Sequence, residues 1–245
     1  MLFSIITVTY NAAGVLPPTL QSIREQSCAD YEFLLIDGAS TDATVQLATD
    51  AQIPETRIIS EPDGGLYDAM NKGIDLARGD FLIFLNAGDA FASDVVLARL
   101  AKLAAEHPAA DVLYGQTQLV DAERNVIGKR HLTAPHHLTA ESFSHGMLVC
   151  HQAFVARRAK VPHYNLDYRF SSDYDWCIRV LKESAETAYA GDEPLINFLT
   201  EGMTTQNHRR SLVERFRVMC RHYGTATAIV RHLSFIPRFL RKTNS

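Results

Sequence analysis

Five consecutive apolar residues, Phe81 to Leu85, stand between Asp80 and the turn-forming stretch Asn86-Ala-Gly-Asp89. The run is too short for an ordinary helix. Its lack of alternation predicts a strand buried on both faces, as in a parallel sheet. The strand leads to Asp89, a carboxylate emerging where open α/β sheets bind ligands. A lone carboxylate at a rigid strand end suits a hard cation that keeps its other positions for water and phosphate oxygens. Capping a helix that starts near Ser93 is the equal alternative.

Strand and helix signals alternate on either side of this run. Leu2 to Thr9 is rich in β-branched residues and stops at Tyr10-Asn11. Helical spacing follows from about Leu16 to Gln26, with Pro17 and Pro18 in its first turn. Tyr31 to Ile36 predicts a second strand, Thr41 to Asp50 a short helix and Arg57 to Ser60 a short strand. After the loop Glu61 to Gly65, helices are expected over Asp68 to Ala77 and Ser93 to Glu106. This βαβα order predicts an α/β fold, a mostly parallel sheet flanked by helices with right-handed crossovers.

The second half is less regular. Asp111–Val120 and Val126–His131 suggest a hairpin, and Gly146 to Val155 a further strand. A helix is expected over Tyr174 to Ser184, then strands near Thr187–Ala190 and Pro194–Leu199. Ser211 and Glu214 have capping-box spacing. Leu212, Phe216, Met219 and Tyr223 then share a helical face that would dock on the body. With no repeat, low-complexity stretch or linker, residues 1–245 are expected to form one domain.

Four scattered cysteines without a C-x-x-C pair argue against a zinc ribbon or disulfide framework. No stretch approaches the ~18 apolar residues of a membrane span, and no signal peptide is evident. A cytoplasmic protein is expected. Residues 205–245 hold nine Lys+Arg and one acid, net +8, while the first 204 hold fifteen bases and twenty-seven acids, net −12. The basic tail either faces an anionic partner, such as the cytoplasmic leaflet of a membrane, or is a solvated helix face. No nucleic-acid partner is expected.

Further acids follow strands or lie in turns: Asp37 in Ile36-Asp-Gly-Ala-Ser-Thr-Asp42, and Asp173 and Asp175 in Ser172-Asp-Tyr-Asp-Trp176. Asp37 suits the N–H edge of a nucleobase, with Gly38 permitting close approach, or simply caps the next helix. Together with Ser4-Ile-Ile-Thr-Val-Thr-Tyr-Asn11, Ser60 to Gly73 and Gly79 to Asp89, these blocks resemble family 2 glycosyltransferases in order and spacing. Those enzymes have the GT-A fold and invert configuration on transfer from nucleotide sugars. The close match covers about residues 3 to 92. His151-Gln152 with Phe154 and the Ser172–Trp176 block extend it loosely.

The resemblance implies a nucleotide-sugar-binding half (1–110), an acceptor half (111–204) and a basic C-terminal helical segment (205–245). Thr9 and Tyr10 would lie beside the donor's base and Asp37 would hydrogen-bond it. Asp68 and Asn71, with Lys72 nearby, would line the donor pocket. Asn86 to Asp89 stands where the family places its D-x-D-type motif, so Asp89 would help bind Mg2+ or Mn2+ on the diphosphate. Asp173 would be the general base, kept basic by burial near Trp176 or by Asp175. His151 would hydrogen-bond the acceptor or a donor phosphate, or be a satisfied buried histidine. The partners implied are a nucleotide-sugar donor and a glycan or lipid-linked acceptor of polysaccharide biosynthesis, with peripheral membrane contact through the tail.

The chain departs from the family pattern at Val8, at Met70 where many relatives carry arginine, and at Asn86 and Gly88, which replace acids. The alternatives are a degenerate sugar-nucleotide-binding subunit and a nucleotidyltransferase. The latter would want basic residues in the first turn, and none precedes Arg24. A nicotinamide dehydrogenase is disfavoured further, since no G-x-G-x-x-G follows the first strand. His136-His137 lacks a third ligand and is expected in a surface loop. Arg209 and Arg210 either reach the diphosphate or face solvent.

Overall fold

The computed structural model describes residues 1–200 and 208–242, the side chains of 208, 209 and 234–242 excepted. In the first half, β1 (Phe3–Thr9), β2 (Tyr31–Asp37), β3 (Thr56–Ser60) and β4 (Phe81–Phe84) pair in parallel in the order β3-β2-β1-β4. Helices α1 (Leu16–Arg24), α2 (Thr44–Asp50) and α3 (Leu66–Leu76) connect them. Every residue of β1, β2 and β4 is buried, as the unalternating apolar runs predict. A fully buried Leu, Ile or Phe side chain contributes about 1.5–3 kcal/mol, so these strands anchor the core. Helix α3 lies close over β1 at Gly73, where an added Cβ would stand 2.6 Å from Ile6 Cγ2.

The second half extends the same sheet with mixed pairing. After β5 (Ala90–Phe91) and α4 (Val96–Glu106) come β6 (Val112–Val120), β7 (Val126–Lys129) and β8 (Phe154–Arg157). Helix α5 (Ser172–Glu183) then leads to β9 (Thr187–Leu199). The full order is β3-β2-β1-β4-β8-β6-β9-β5, with β7 on β6 as the predicted hairpin. Strand β8 is antiparallel to both β4 and β6, whereas β9 runs parallel to β6. The parallel pairing expected for most of the sheet holds among the first four strands and between β6 and β9, and the antiparallel pairs lie in the second half.

Four local expectations change. The two strands foreseen between Thr187 and Leu199 are one, irregular in register where Gly191 turns left-handed at φ +89°. Of the strand foreseen from Gly146, only Phe154 onward pairs, because Gly146 (φ +107°) and a short 3-10 turn at His151–Ala153 break the extended run. Ser211 and Glu214 form no capping box, since helix α6 (His208–Tyr223) begins three residues earlier. Glu214 instead accepts the amides of Arg169 and Phe170 at 3.0 and 2.7 Å. The docked face of α6 holds Phe216, Met219 and Tyr223 as expected, joined by Val218, but Leu212 is 41% exposed and falls outside it. Helix α7 (Thr225–Lys242) packs on α6, with Phe216 edge-on to His232. Among the described residues no helix is long and apolar enough to cross a membrane.

Candidate functional site

The carboxyl ends of β1, β2 and β4 converge with the first turns of α3 and α5. At the end of β1, Thr9 is buried and Tyr10 is 70% exposed. Asp37, 1% exposed, closes β2. Its carboxylate accepts the hydroxyls of Thr9 (2.9 Å), Ser40 and Ser60 (2.7 Å) and the Ser40 amide (2.8 Å). Burial raises its pKa, but these donors together outweigh that and leave it below the usual carboxylate range. With its lone pairs so occupied, Asp37 orders the strand ends instead of offering a free acceptor to a nucleobase edge. Nor does it cap α2: Asp42 accepts the Thr44 amide at 3.0 Å. The approach Gly38 permits is that of Asp63, whose Oδ2 would be 2.7 Å from an added Cβ.

The loop before α3 is held by its own polar groups. Asp68 Oδ2 accepts the Gly64 amide (2.8 Å), Asp63 Oδ1 accepts the Gly65 amide (2.8 Å), and Lys72 bridges to Glu61 (2.9 Å). Asp68 keeps a half-buried place facing this loop. Asn71 does not line it. Its amide clamps the backbone of Tyr164 from both sides, donating to the carbonyl (3.1 Å) and accepting from the N–H (2.7 Å). Met70, 1% exposed, belongs to the core and is no pocket wall.

At the organising turn, Asp89 is 5% exposed and caps no helix. Oδ1 accepts the Leu199 amide (3.0 Å) and Oδ2 the Gln152 side-chain amide (2.7 Å). Burial pushes its pKa up to about 7 against the pull of these donors and of nearby Arg124. Arg124, at the tip of the β6–β7 hairpin, donates to the Gly88 carbonyl. Asn86 Oδ1 is buried without a hydrogen-bond partner. Asn86 and Asp89 thus provide two hard oxygens in one turn, of the kind that suits Mg2+ or Mn2+. Among the described residues no three His, Cys, Asp or Glu side chains cluster as a metal cage.

Helix α5 carries the third acidic group. Asp173 lies in its first turn, one residue inside the first helical position Ser172, and is half-buried. Its Oδ1 accepts from the Tyr67 hydroxyl (3.1 Å) and the Tyr174 amide (2.9 Å). Among the described residues Oδ2 accepts no hydrogen bond. Asp175 is not its companion, because residues two apart on a helix point to different sides. Asp175 is 1% exposed, bound by Arg179 Nε and His222 Nε2, each at 2.7 Å. Burial raises its pKa but those partners lower it further.

Trp176 and His151 are likewise interior groups with no face open to an acceptor. Trp176 is fully buried and donates to the Pro162 carbonyl at 2.8 Å. His151 is 4% exposed, stacks on Phe84 and pairs with the Tyr164 hydroxyl at 2.6 Å. Burial holds its pKa near 4, so it is neutral at pH 7. The buried-histidine alternative is the one realised. Arg210 is exposed, and the side chains of His208 and Arg209 lie outside the described residues.

Sequence reasoning missed Tyr67, Gln152 as the partner of Asp89, and Arg124. Tyr67 fell just outside the helix expected from Asp68, which in fact starts at Leu66. Gln152 stood beside a more conspicuous histidine. Arg124 lies in a hairpin tip with no motif of its own.

Residues 4–163 match the family described as Glycosyl transferase family 2. A PGL/p-HBAD biosynthesis glycosyltransferase of Mycobacterium tuberculosis is 38% identical over 190 residues, covering 75% of this chain and 71% of the relative. An uncharacterized glycosyltransferase of the same species is 33% identical over 183 residues, 72% of this chain and 67% of the relative. The fold is similar to S. aureus TarS 1-349 in complex with UDP-GlcNAc, with a TM-score of 0.75 and 18% identity over 96% of this chain and 73% of that one. It is also similar to the mannosyltransferase PcManGT of Pyrobaculum calidifontis in complex with GDP-Man and Mn2+, with a TM-score of 0.63 and 17% identity over 95% and 74%.

Proposed function

Since the chain belongs to glycosyl transferase family 2 and is a glycosyltransferase, we propose that it moves a sugar from a nucleotide-sugar donor to a glycan or lipid-linked acceptor with inversion. The observation that carries this reading is Asp173, with one carboxylate oxygen held by Tyr67 and Tyr174 and the other accepting no hydrogen bond among the described residues. That oxygen takes the acceptor hydroxyl's proton as the acceptor oxygen attacks the anomeric carbon. The bond from that carbon to the diphosphate breaks, and the nucleoside diphosphate leaves with the electron pair. A positioned base of this kind contributes ~10²–10⁴-fold. No covalent enzyme nucleophile is required.

On the donor side, Tyr10 offers its exposed ring to the base, while Thr9, Asp37 and Ser60 order the loops around it. Asp68, which holds the Gly64 amide, lines the donor pocket between base and sugar. The orphaned Asn86 oxygen and Asp89 would hold Mg2+ or Mn2+, which when bound spreads the charge developing on the leaving diphosphate. The UDP-GlcNAc and GDP-Man complexes of the similar folds support a nucleotide-sugar donor. We read one domain, because one sheet runs through both halves: donor half 1–110, acceptor half 111–204 and basic segment 205–245.

The tail is the part we assign to an anionic membrane surface. Ile229, Val230 and Leu233 are exposed on α7, within a segment of net charge +8. Each basic residue near such a surface contributes ~1 kcal/mol. Sedimentation with anionic vesicles would show binding that is lost on removing residues 226–245; binding indifferent to that truncation would end the assignment.

The transferase reading is tested by thermal shift and nucleotide release with UDP-, GDP- and dTDP-sugars, with and without Mn2+. A donor at ~100 times its Kd stabilises the fold by ~2.7 kcal/mol. One nucleotide class should shift the protein, and Asp173→Asn should keep that shift while losing transfer. No shift from any nucleotide in folded protein would overturn the reading. A shift without turnover for any acceptor would favour a degenerate binding subunit.

A further inference from the structure

Tyr67 is 7% exposed at the second position of α3, and its hydroxyl reaches across to α5 to donate to Asp173 Oδ1 at 3.1 Å. Its ring is not free to drift. It stacks on Tyr164 (centroids 5.5 Å apart, planes at 23°), which stacks in turn on Trp176 (5.0 Å, 12°). Tyr164 is pinned through its backbone by Asn71 and through its hydroxyl by His151. Three rings in a pile therefore aim one phenol at one carboxylate oxygen.

The phenol is a permanent donor. Burial first, and then the neighbouring Asp173 carboxylate, hold its pKa well above 10.0, so it keeps its proton across the working pH range. Oδ1 thus receives two donors, the phenol and the Tyr174 amide, whereas Oδ2 receives none among the described residues. A carboxylate loaded on one oxygen is fixed about its Cβ–Cγ bond and presents the other oxygen in a single direction.

We propose that Tyr67 is a positioning residue for Asp173, holding Oδ1 so that Oδ2 is the oxygen that receives the acceptor proton. This rests on Asp173 being the general base. Tyr67 gives up no proton in the reaction. It adjoins Asp68, whose carboxylate holds the Gly64 amide, so the loop assigned to the donor and the carboxylate facing the acceptor are set by neighbouring residues of one helix.

Tyr67→Phe removes one oxygen and leaves the ring stack in place. The expected result is a melting temperature within about 4 °C of wild type and an unchanged donor Kd. The kcat should fall by about tenfold or more with acceptor KM little altered, since the oxygen that receives the proton is no longer held in one direction. The acid limb of kcat/KM should move to higher pH, because a carboxylate that has lost a donor holds its proton more tightly. Replacing Tyr67 by a ring-fluorinated tyrosine, a stronger donor, should move that limb to lower pH with the fold intact. Wild-type kcat and an unmoved acid limb in both variants would overturn the proposal. Asp173→Asn separates the two readings. Turnover surviving in it removes the general base and this inference with it, whereas a dead Asp173→Asn beside a wild-type-like Tyr67→Phe removes the inference alone.

Discussion

Replacing Asp89 by asparagine should change how stability depends on pH. The folded protein holds the Asp89 proton up to about pH 7, against an ordinary value of 3.8, chiefly because the carboxyl is buried. Between those values the folded state binds more protons than the unfolded chain, so stability falls as pH rises through the window. The separation corresponds to about 4 kcal/mol in all, of which about 3 kcal/mol is lost between pH 5 and pH 8. Asparagine abolishes that loss at small structural cost. Its oxygen still accepts from Leu199, and Gln152 can turn its amide to accept from the new NH2 group. Urea unfolding of wild type and Asp89→Asn at pH 5 and pH 8, with a chelator present, isolates the effect, because every other titrating group cancels in the difference. The variant should lose about 3 kcal/mol less across that interval. Parallel pH dependences would mean that the buried carboxyl ionises as easily as one in water and would refute the argument.

Gly73→Ala should destabilise by about 1–3 kcal/mol, because its Cβ would meet Ile6 Cγ2 at 2.6 Å; calorimetry reads this as a lower Tm. Asp175→Ala should be about as costly as breaking a buried ion pair, roughly 3 kcal/mol, since Arg179 and His222 lose their shared partner. Its folded fraction should retain turnover, unlike Asp173→Asn. Tyr10→Ala, at a 70% exposed site, should leave Tm unchanged and weaken donor binding about tenfold, measured by calorimetric titration.

The central strands were legible because full burial leaves unmistakable apolar runs, and the helical spacings between them pointed to parallel pairing. The strand ends were also legible, since a buried strand must release its chain somewhere and Asp37 and Asp89 mark two such points. What each carboxylate does there was not. Asp37 reads in sequence as an open acceptor, yet Thr9, Ser40 and Ser60 arrive from three separate segments to fill it. His151 and Trp176 look reactive by residue type and are core by environment, a difference that only packing with Phe84 and Tyr164 reveals. The second half resisted reading because antiparallel β8 and the irregular β9 take their register from distant partners.

The pairing of Asp89 with Leu199 and of β5 with β9 also dictates an order of events as the chain is made. The turn that ends β4 is synthesised early, but its carboxylate finds the Leu199 amide only after another 110 residues have followed. Until then the parallel strands can assemble, yet the edge that β5 must join has not been built. Such long-range closure is slow relative to local helix formation. A nascent chain halted before Leu199 would therefore carry a formed parallel half whose β5 has no partner strand, and that unpaired segment would be a point of attack for proteases.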